Sequence, residues 1–353
     1  MSATFHHLNI ADVRRETADT VSIAFELKAE NEADFKFIAG QYLTLKADIK
    51  GEDVRRSYSI CSSPSQGELR VAVKQVEGGK FSTYANTELA KGQTMEVMVP
   101  NGNFLVEPNA AKSGNYVFYA AGSGITPILS MIRSILETEA ESKVFLYYGN
   151  KSAEDTIFKT QLDELAAQYS NFKLTYILSR EDTGESTTYG RIDENKCSHF
   201  YDADLADLKI EGIYSCGPQE MIEMIKEFYI SKGLLHKVHF ELFTTPVATE
   251  TETVDDGVSV DSQVTVIIDD EEYEFELSTD GPDILQAAQD NDADVPFSCK
   301  GGVCCTCRAK VLEGTVKMAV NFALEEDEVA NGFILTCQAH PTSEKVVVSY
   351  DEF

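Results

Sequence analysis

The chain has 353 residues, 43% of them apolar, which is enough for two or three domains with buried cores. Its 59 acidic and 30 basic side chains give a formal charge of −29, which repels nucleic-acid phosphates and anionic lipid and argues against both as partners. No apolar run approaches the ~18 residues of a membrane span, and MSATFHHLNIADVRR lacks a signal-peptide core, so we expect a cytoplasmic protein.

Residues 1–108 contain short runs in which apolar and polar residues alternate. The runs are TVSIAFEL, YLTLKADI, LRVAVKQV and MEVMVP, and Gly, Pro, Asn and Asp lie between them. Alternation with a period of two is typical of antiparallel strands that bury one face. The sequence therefore predicts an antiparallel barrel or sandwich as the first domain.

Two motifs in this first segment favour a phosphate-containing ligand. RRSYSICSSP, at 55–64, is typical of a polar strand and by itself has an ordinary structural explanation. VEGGKFSTYANTEL, at 76–89, places a glycine turn before a helix, with Ser82 near the helix start. Free backbone amides and the helix dipole at such a start attract anions, so the second motif gives weight to the first.

From Asn115 onward, buried strands are followed by tight turns and, in most cases, by helices. The segments are NYVFYAAGSGITPILSMIRSIL, KVFLYYGN followed by TQLDELAAQY, KLTYILSR, and EGIYSCGPQEMIEMIKEFYISKG. Repeated strand and helix units predict a doubly wound parallel sheet over 109–243, with ligands at the carboxyl ends of its strands.

The turn AAGSGITPI, at 120–128, differs from the dinucleotide fingerprint because Pro127 stands in place of the third glycine. Proline in the first helical turn after a glycine-rich bend still favours a helix start that faces phosphate. An ordinary bend between a strand and a helix is the alternative.

The strand KLTYILSRED ends at Ser179 and Arg180. An arginine at this place favours a ribose 2′-phosphate, whereas an acidic residue favours a free 2′-hydroxyl. Of the two nicotinamide dinucleotides, NADPH is therefore favoured as the ligand, with Arg191 as a second cation that could contact its 2′-phosphate. Two alternatives leave NADH open as the ligand: Glu181 is adjacent to Arg180, and Arg180 is otherwise explained as a solvated loop residue.

The segment 244–262 is rich in Thr, Asp and Glu and has no apolar periodicity, so it is predicted to be a linker. After it, QVTVIIDDEEYEFEL predicts a hairpin and DILQAAQDND a short helix. Residues 245–353 hold 24 Asp and Glu against 5 Lys and Arg, a net charge of −19. This acidity either keeps a small domain soluble or forms a docking face for a basic partner.

Four cysteines crowd the loop FSCKGGVCCTCRAK. Cys299, Cys304 and Cys307 have the spacing Cys-x4-Cys-x2-Cys, and Cys337 lies thirty residues on, as in plant-type 2Fe-2S ferredoxins. Zinc would need two paired Cys-x-x-Cys motifs, and Cys337 has no such companion. The spacing therefore favours a 2Fe-2S cluster, with Cys305 left as a spare residue unless the ligands exchange.

These motifs together resemble the ferredoxin-NADP reductase superfamily joined to a plant-type ferredoxin, as in the reductase components of bacterial oxygenase systems. The resemblance covers essentially the whole chain. It implies an antiparallel β-barrel flavin domain at 1–108, a doubly wound α/β nucleotide-binding domain at 109–243, the linker, and an α+β (β-grasp) 2Fe-2S ferredoxin domain at 263–353.

By this resemblance, Arg56 would pair with the flavin pyrophosphate, Tyr58 would lie along the ribityl chain and ring, and Ser59 would bind the flavin N5. An aromatic residue after the last strand, in HFELFTTP, would cover the flavin, with Glu241 nearby; an apolar strand end is the alternative. FAD is favoured over FMN. The implied flavin-binding residues are Arg56, Ser57, Tyr58, Ser59, Gly79, Lys80, Phe81, Ser82 and Phe243.

The Gly-x-Gly-x-Thr-Pro and Cys-Gly-Pro turns of the same superfamily bind the nicotinamide cofactor. Cys216 is expected near the nicotinamide C4 as a positioning residue, and with Ser59 it makes up the implied catalytic pair. The implied nucleotide-binding residues are Gly122, Ser123, Gly124, Thr126, Pro127, Ser179, Arg180, Arg191, Cys216, Gly217 and Pro218. The implied metal ligands are Cys299, Cys304, Cys307 and Cys337.

The resemblance also implies an activity. NADPH, or alternatively NADH, would give a hydride to FAD, and single electrons would pass through the 2Fe-2S cluster to an external oxygenase, such as an epoxidase or hydroxylase of an aromatic-CoA or similar substrate. A reductase serving other one-electron or soluble acceptors is one alternative. A non-redox zinc-binding interaction protein is the other.

Overall fold

The computed structural model describes residues 4–243 and 259–352. The first sheet has six strands in the order β4-β3-β6-β1-β2-β5, in which β2 runs antiparallel to β1 and β5, and β3 runs antiparallel to β6. The strands are β1 (His6–Thr17), β2 (Thr20–Glu26), β3 (Tyr42–Ile49), β4 (Glu52–Ser59), β5 (Leu69–Lys74) and β6 (Thr94–Val97), and the helix α1 (Lys80–Thr87) follows β5.

The two edges of this sheet meet just after β4. Ile60 forms an isolated antiparallel bridge with Val71 of β5, and the amide of Cys61 donates to the carbonyl of Arg70. The edges are thereby joined, as in a barrel, and the alternating apolar residues of the strands fill the interior. The predicted antiparallel barrel is therefore present.

The second sheet is parallel, with the order β11-β10-β7-β8-β9. Because helices cover both faces, its strands are apolar along almost their whole length. The strands are β7 (Asn115–Ala121), β8 (Lys143–Asn150), β9 (Phe172–Leu178), β10 (Ile210–Cys216) and β11 (Val238–Glu241), and the helices are α2 (Ile125–Thr138), α3 (Lys159–Gln168), α4 (Glu194–Phe200) and α5 (Gln219–Ser231).

The order of the parallel strands reverses at β7, whose neighbours are β10 on one side and β8 on the other. In open α/β sheets, ligands bind outside the carboxyl ends of the strands at such a reversal. The turn that follows β7 and the end of β10 therefore lie at the position where a nucleotide site is expected.

The third sheet has the order β13-β12-β18-β14-β16, and a two-stranded ribbon pairs β15 with β17. The predicted hairpin is present, and Asp269 and Asp270 both take positive φ in its two-residue turn. The elements are β12 (Asp261–Ile268), β13 (Glu271–Ser278), α6 (Ile284–Asp290), β14 (Arg308–Glu313), β15 (Val316–Met318), α7 (Glu326–Ala330), β16 (Phe333–Leu335), β17 (Ala339–Pro341) and β18 (Lys345–Ser349).

Backbone contacts divide the described residues into two compact units: one holds His7–Val54 and Tyr58–Phe243, and the other holds residues 259–352 with residues 4–6 and Arg55–Ser57. The barrel and the parallel sheet thus share a unit. Of the predicted linker, 244–258 lies outside the described residues, and β12 begins at Asp261, before the predicted linker end.

Within the described ranges, no helix is long and apolar enough to cross a membrane.

Candidate functional site

A serine and a glutamate from different sheets are in contact within the unit that holds the barrel and the parallel sheet. Ser59, the last residue of β4, is 3% exposed, and its hydroxyl donates to the Glu241 carboxylate at an Oγ to Oε2 distance of 3.2 Å. Glu241 ends β11 and is the register partner of Cys216 on β10. Ser59 and Cys216, the two implied catalytic residues, are therefore both adjacent to one carboxyl group.

The surroundings of this carboxyl group favour neutral side chains. Loss of hydration raises the pKa of Glu241 to about 8, and the hydrogen bond from Ser59 opposes that rise. Burial, with the nearby Glu241 charge, raises the pKa of the Cys216 thiol well above its usual value. Cys216 is thus held as a thiol, which suits a positioning role better than that of a nucleophile.

The side chains of Val76 and Ser82 pack closely around the glycine turn before α1. A Cβ atom at Gly79 would lie 2.4 Å from Ser82 Oγ and 2.5 Å from Val76 Cγ2, so a larger residue would have to displace these two side chains. The Ser82 hydroxyl accepts the amide of Val76 at 3.2 Å. The residues in this turn fit a pyrophosphate, which backbone amides at a helix start bind.

The other implied flavin residues lie along β4 and the start of α1. Arg56 is exposed and its guanidinium bonds the Arg55 carbonyl at 2.7 Å, and the Tyr58 ring is 5.5 Å from the Phe81 ring. Ser57 lies between Arg56 and Tyr58 on β4, and Lys80 pairs with Glu52. Phe243, two residues past β11, is 40% exposed.

The turn at 122–124 packs directly against the end of β10. A Cβ atom at Gly124 would lie 2.0 Å from the Cys216 carbonyl oxygen, so no larger residue fits there. Gly122 has a φ of +55°, and Thr126 Oγ1 donates to the Ser123 carbonyl at 3.0 Å. The implied residues Pro127, in the first turn of α2, and Gly217 and Pro218, between β10 and α5, complete this region.

The ends of β8 and β9 bring together the residues implied for the adenosine end. The amides of Ser179 and Arg180 donate to the carbonyls of Asn150 and Lys151. Arg180 and Arg191 are both exposed, and neither forms an ion pair within the described ranges. The Glu181 carboxylate accepts the Ala153 amide at 2.7 Å, so its charge is directed to the backbone of the neighbouring loop.

Two side chains near these strand ends were not singled out from the sequence. Tyr189 is 46% exposed, and its segment pairs with Leu178 through the Thr188 carbonyl and the Gly190 amide. Asn150, by contrast, is 9% exposed at the end of β8. An aromatic residue ahead of Gly190 was a usable signal for Tyr189, whereas nothing in the sequence marks Asn150 as buried.

The cysteine loop brings sulfur atoms and amide donors together. The Sγ atoms of Cys299 and Cys304 are 3.1 Å apart, and hydrogen bonds from the thiols of Cys304 and Cys337 lower the pKa of Cys299. The Gly301 amide donates to Cys299 Sγ at 3.4 Å, and Gln338 Nε2 approaches Cys337 Sγ at 3.5 Å. Such donors are typical around iron-sulfur clusters.

Across residues 4–243 and 259–352, no three His, Cys, Asp or Glu side chains are grouped around one ion position. A 2Fe-2S cluster takes two ligands on each iron, so it needs no such group. Cys307 and Cys337, the remaining implied ligands, are both buried.

Cys305 has a different environment from its neighbours. Its Sγ lies 3.3 Å from the Ala323 carbonyl oxygen, and it belongs to the apolar core of the third sheet. This contact is that of a small packing residue.

Three family models match the chain in the order expected. They describe an oxidoreductase FAD-binding domain at residues 7–105, an oxidoreductase NAD-binding domain at 118–227 and a 2Fe-2S iron-sulfur cluster binding domain at 266–342. These matches confirm the predicted fold class and favour iron-sulfur over zinc chemistry.

Similar proteins include reductase components from bacteria. The chain is 42% identical over 352 residues to a subunit of the 1,2-phenylacetyl-CoA epoxidase of Escherichia coli strain K12, covering 99% of this chain and 98% of that one. It is 31% identical over 355 residues to the ferredoxin reductase component of 3-ketosteroid-9-alpha-monooxygenase of Rhodococcus rhodochrous, covering 97% and 96%.

Solved structures share the fold over 98% of this chain. Phthalate dioxygenase reductase matches with a TM-score of 0.61 and 24% identity, over 98% of its own length. An intact type IV self-sufficient cytochrome P450 monooxygenase matches with a TM-score of 0.71 and 24% identity, and there this chain spans 41% of the longer protein. Barrel, parallel sheet and ferredoxin fold thus occur together in known proteins.

Proposed function

Because the chain belongs to the family of oxygenase reductase components that join FAD-binding, NAD-binding and 2Fe-2S ferredoxin domains, we propose that it carries electrons from NADPH to an oxygenase that acts on a CoA thioester. FAD, when bound, would accept the two electrons of a hydride together and release them one at a time. A 2Fe-2S cluster would carry these single electrons outward. The chain itself is an oxidoreductase whose residues bind, orient and shield these groups.

The observation that carries the proposal is the meeting of Ser59 with Glu241 and Cys216 at the carboxyl ends of β10 and β11. The Ser59 hydroxyl bonds the Glu241 carboxylate, and Cys216 is its register partner on the next strand. In our proposal, Cys216 limits where a nicotinamide ring can lie, and Ser59 presents an oriented hydroxyl to the flavin. Their burial excludes water from a reaction in which stray protons would compete.

Glu241 is proposed to hold a proton for Ser59. With its pKa raised to about 8, the carboxyl is mostly protonated near neutral pH. A proton at Glu241 Oε2 can be shared with Ser59 Oγ over their 3.2 Å hydrogen bond. The hydroxyl can then donate toward negative charge without leaving an unprotonated serine behind.

The preference for NADPH rests on the cations at the end of β9. Arg180 and Arg191 are exposed without ion-pair partners in the described chain, and the carboxylate next to Arg180 in sequence, that of Glu181, accepts the Ala153 amide. Two free guanidinium groups favour a 2′-phosphate. The exposed ring of Tyr189 beside them offers a surface on which an adenine can stack.

The proposed acceptor is a multicomponent oxygenase. The relative with 42% identity is named as a subunit of 1,2-phenylacetyl-CoA epoxidase, so an epoxidase of an aryl-acyl-CoA is the acceptor we favour. Cys299, Cys304, Cys307 and Cys337 are the proposed ligands of the cluster from which it takes electrons.

The test is a purification followed by three measurements. We expect absorption from both a flavin and a 2Fe-2S cluster, FAD as the released flavin, and NADPH oxidation that rises when an aryl-acyl-CoA epoxidase is added. Arg180→Ala should raise the KM for NADPH much more than that for NADH. A colourless protein, or oxidation indifferent to the epoxidase, would contradict the proposal, and equal KM effects would remove the 2′-phosphate site.

A further inference from the structure

One polar side chain of the parallel sheet is buried without using its donor. Asn150, at the end of β8, is 9% exposed, and its Nδ2 has no hydrogen-bond partner within residues 4–243 and 259–352. Such an amide loses its hydration and gains nothing in return, so it destabilises the fold. A buried donor of this kind needs an explanation, and a ligand atom is one.

The direction of the Asn150 side chain follows from the alternation along β8. Leu146 and Tyr148, on the same face as Asn150, belong to the core layer that also contains residues of α2. The Tyr148 hydroxyl donates to the Gly122 carbonyl at 2.9 Å. Asn150 therefore points to the side of the sheet on which the turn at 122–124 leads into α2.

The neighbouring phenol does not satisfy the amide. A hydrogen-bonding interaction with the Asn150 side chain opposes the rise in the pKa of the Tyr148 phenol caused by burial, but it falls outside the distance and angle of an ordinary hydrogen bond. The phenol donates its own proton to the Gly122 carbonyl, and its oxygen accepts nothing from Nδ2 at ordinary geometry. The backbone of Asn150 is also engaged, since its carbonyl accepts the amide of Ser179.

We propose that Asn150 Nδ2 donates a hydrogen bond to a pyrophosphate oxygen of the bound nicotinamide dinucleotide. The inference rests on the proposed function, in which the turn at 122–127 binds that pyrophosphate. Asn150 lies between this turn and the Ser179 and Arg180 pair, so the dinucleotide passes it on the way to its adenosine end. A neutral amide suits the position, because a buried cation there would cost far more when the nucleotide leaves.

A second buried donor in the same sheet provides the control. Ser215 on β10 is fully buried and its Oγ also lacks a partner among the described residues. It alternates with Tyr214 and Cys216, which belong to the α2 layer, so it faces the opposite side. Ser215→Ala removes an unsatisfied donor without approaching the pyrophosphate.

The experiment is calorimetric titration of the holoenzyme with NADP⁺, ADP and 2′-AMP. Asn150→Ala should raise the Kd for NADP⁺ and ADP about tenfold, the effect of one hydrogen bond to a charged group. Asn150→Asp should raise both further, because it sets a carboxylate beside a phosphate. The Kd for 2′-AMP, which has no pyrophosphate, should stay within about twofold, and Ser215→Ala should bind all three like wild type.

Unchanged NADP⁺ affinity in both Asn150 variants would overturn the inference. So would an equal loss for 2′-AMP, which would place the donor on the adenosine ribose. Flavin and cluster absorption, together with melting temperature, check that each variant is folded; if Asn150→Ala fails this check, the nearly isosteric Asn150→Asp decides. A wild-type protein that binds neither NADP⁺ nor NAD⁺ would instead refute the proposed function itself.

Discussion

The buried hydroxyl of Ser59 has the Glu241 carboxyl as its partner, and when that carboxyl carries its proposed proton and shares it with Ser59 Oγ, the serine O–H is released to donate to a ligand. A donor that is already oriented stabilises developing charge without reorganising. The same side chain without that partner would rotate among three rotamers. The contribution of this residue is therefore expected in the rate of a chemical step and not in cofactor affinity.

Ser59→Ala should slow flavin reduction by NADPH on the order of tenfold to a hundredfold, because it removes one oriented donor. The Kd of NADP⁺ should change little, since the adenosine and pyrophosphate contacts are elsewhere. Stopped-flow absorbance at the flavin band measures the rate. Reduction at the wild-type rate would remove Ser59 from the proposed catalytic residues.

Because of Glu241, the free energy of unfolding should fall as the pH rises. Its pKa is raised from 4.5 to about 8, so the folded state holds a proton that the unfolded state releases over that interval. The stabilising protonation is complete below pH 4.5 and is lost as the pH rises through about 8. Relative to Glu241→Gln, the wild-type melting temperature should decline across this window; parallel curves for the two proteins would contradict the shift.

Cys305 and Cys304 are adjacent in sequence but differ in environment. Cys305→Ala should keep the cluster absorption, because Cys305 Sγ contacts the Ala323 carbonyl and the core. Cys304→Ala should lose most of that absorption, because Cys304 Sγ lies beside Cys299 Sγ. Iron content per chain measures both. The reverse result would mean that the ligand register through the loop is displaced by one residue.

At the scale of elements, the turn after β7 and the end of β10 are locked together by Gly124. Its φ of −60° is ordinary, so the need for glycine there is purely steric. Any shift of this turn moves the start of α2 relative to Cys216. Two parts of the proposed nucleotide site, one for phosphate and one for the nicotinamide, therefore depend on one backbone contact.

Gly124→Ala should both lower stability, by about 1 to 3 kcal/mol, and weaken NADP⁺ binding, because its Cβ overlaps the Cys216 carbonyl. Gly51→Ala is the matched control: Gly51 has a φ of +82° and no neighbour near its Cβ. That variant should cost about 1 kcal/mol of backbone strain and leave the Kd unchanged. Equal effects of the two variants on the Kd would refute the steric account.

Much of the element order was predictable because the sequence pattern changes at Asn115. Before it, apolar and polar residues alternate with a period of two; after it, strands are continuous apolar runs. The helix α4 was missed: its segment, ENKCSHF, lacks an amphipathic period, and the helix starts where Asp193 caps the Lys196 amide at 2.9 Å. The sequence placed Glu241 near the aromatic residue that would cover the flavin, but did not predict its contact with Ser59. That contact depends on the register of β11 against β10, which local sequence does not encode.

At the scale of the molecule, the charge is distributed unevenly. The residues after Thr244 carry a net charge of −19 out of −29. A surface of this sign accelerates the approach of a basic protein and repels acidic ones. The acidic charge is therefore expected to change the association rate of the acceptor protein.

Electron transfer to a basic oxygenase component should slow as ionic strength rises, severalfold between about 0.05 and 0.5 M salt, because screening shortens the range of attraction. Reduction of the flavin by NADPH at saturation is the internal control, since it involves no second protein. A transfer rate that does not respond to salt would show that the acidity serves solubility alone.

The hydrogen bond between Ser59 and Glu241 joins residues 182 positions apart. During synthesis, the barrel strands leave the ribosome well before β11 exists. A nascent chain can therefore form the β4 segment and its glycine turn while the carboxyl partner of Ser59 is still missing. The strand β11 adds the carboxyl partner of a residue on β4, so the order of translation delays completion of the proposed reaction centre until β11 has been made.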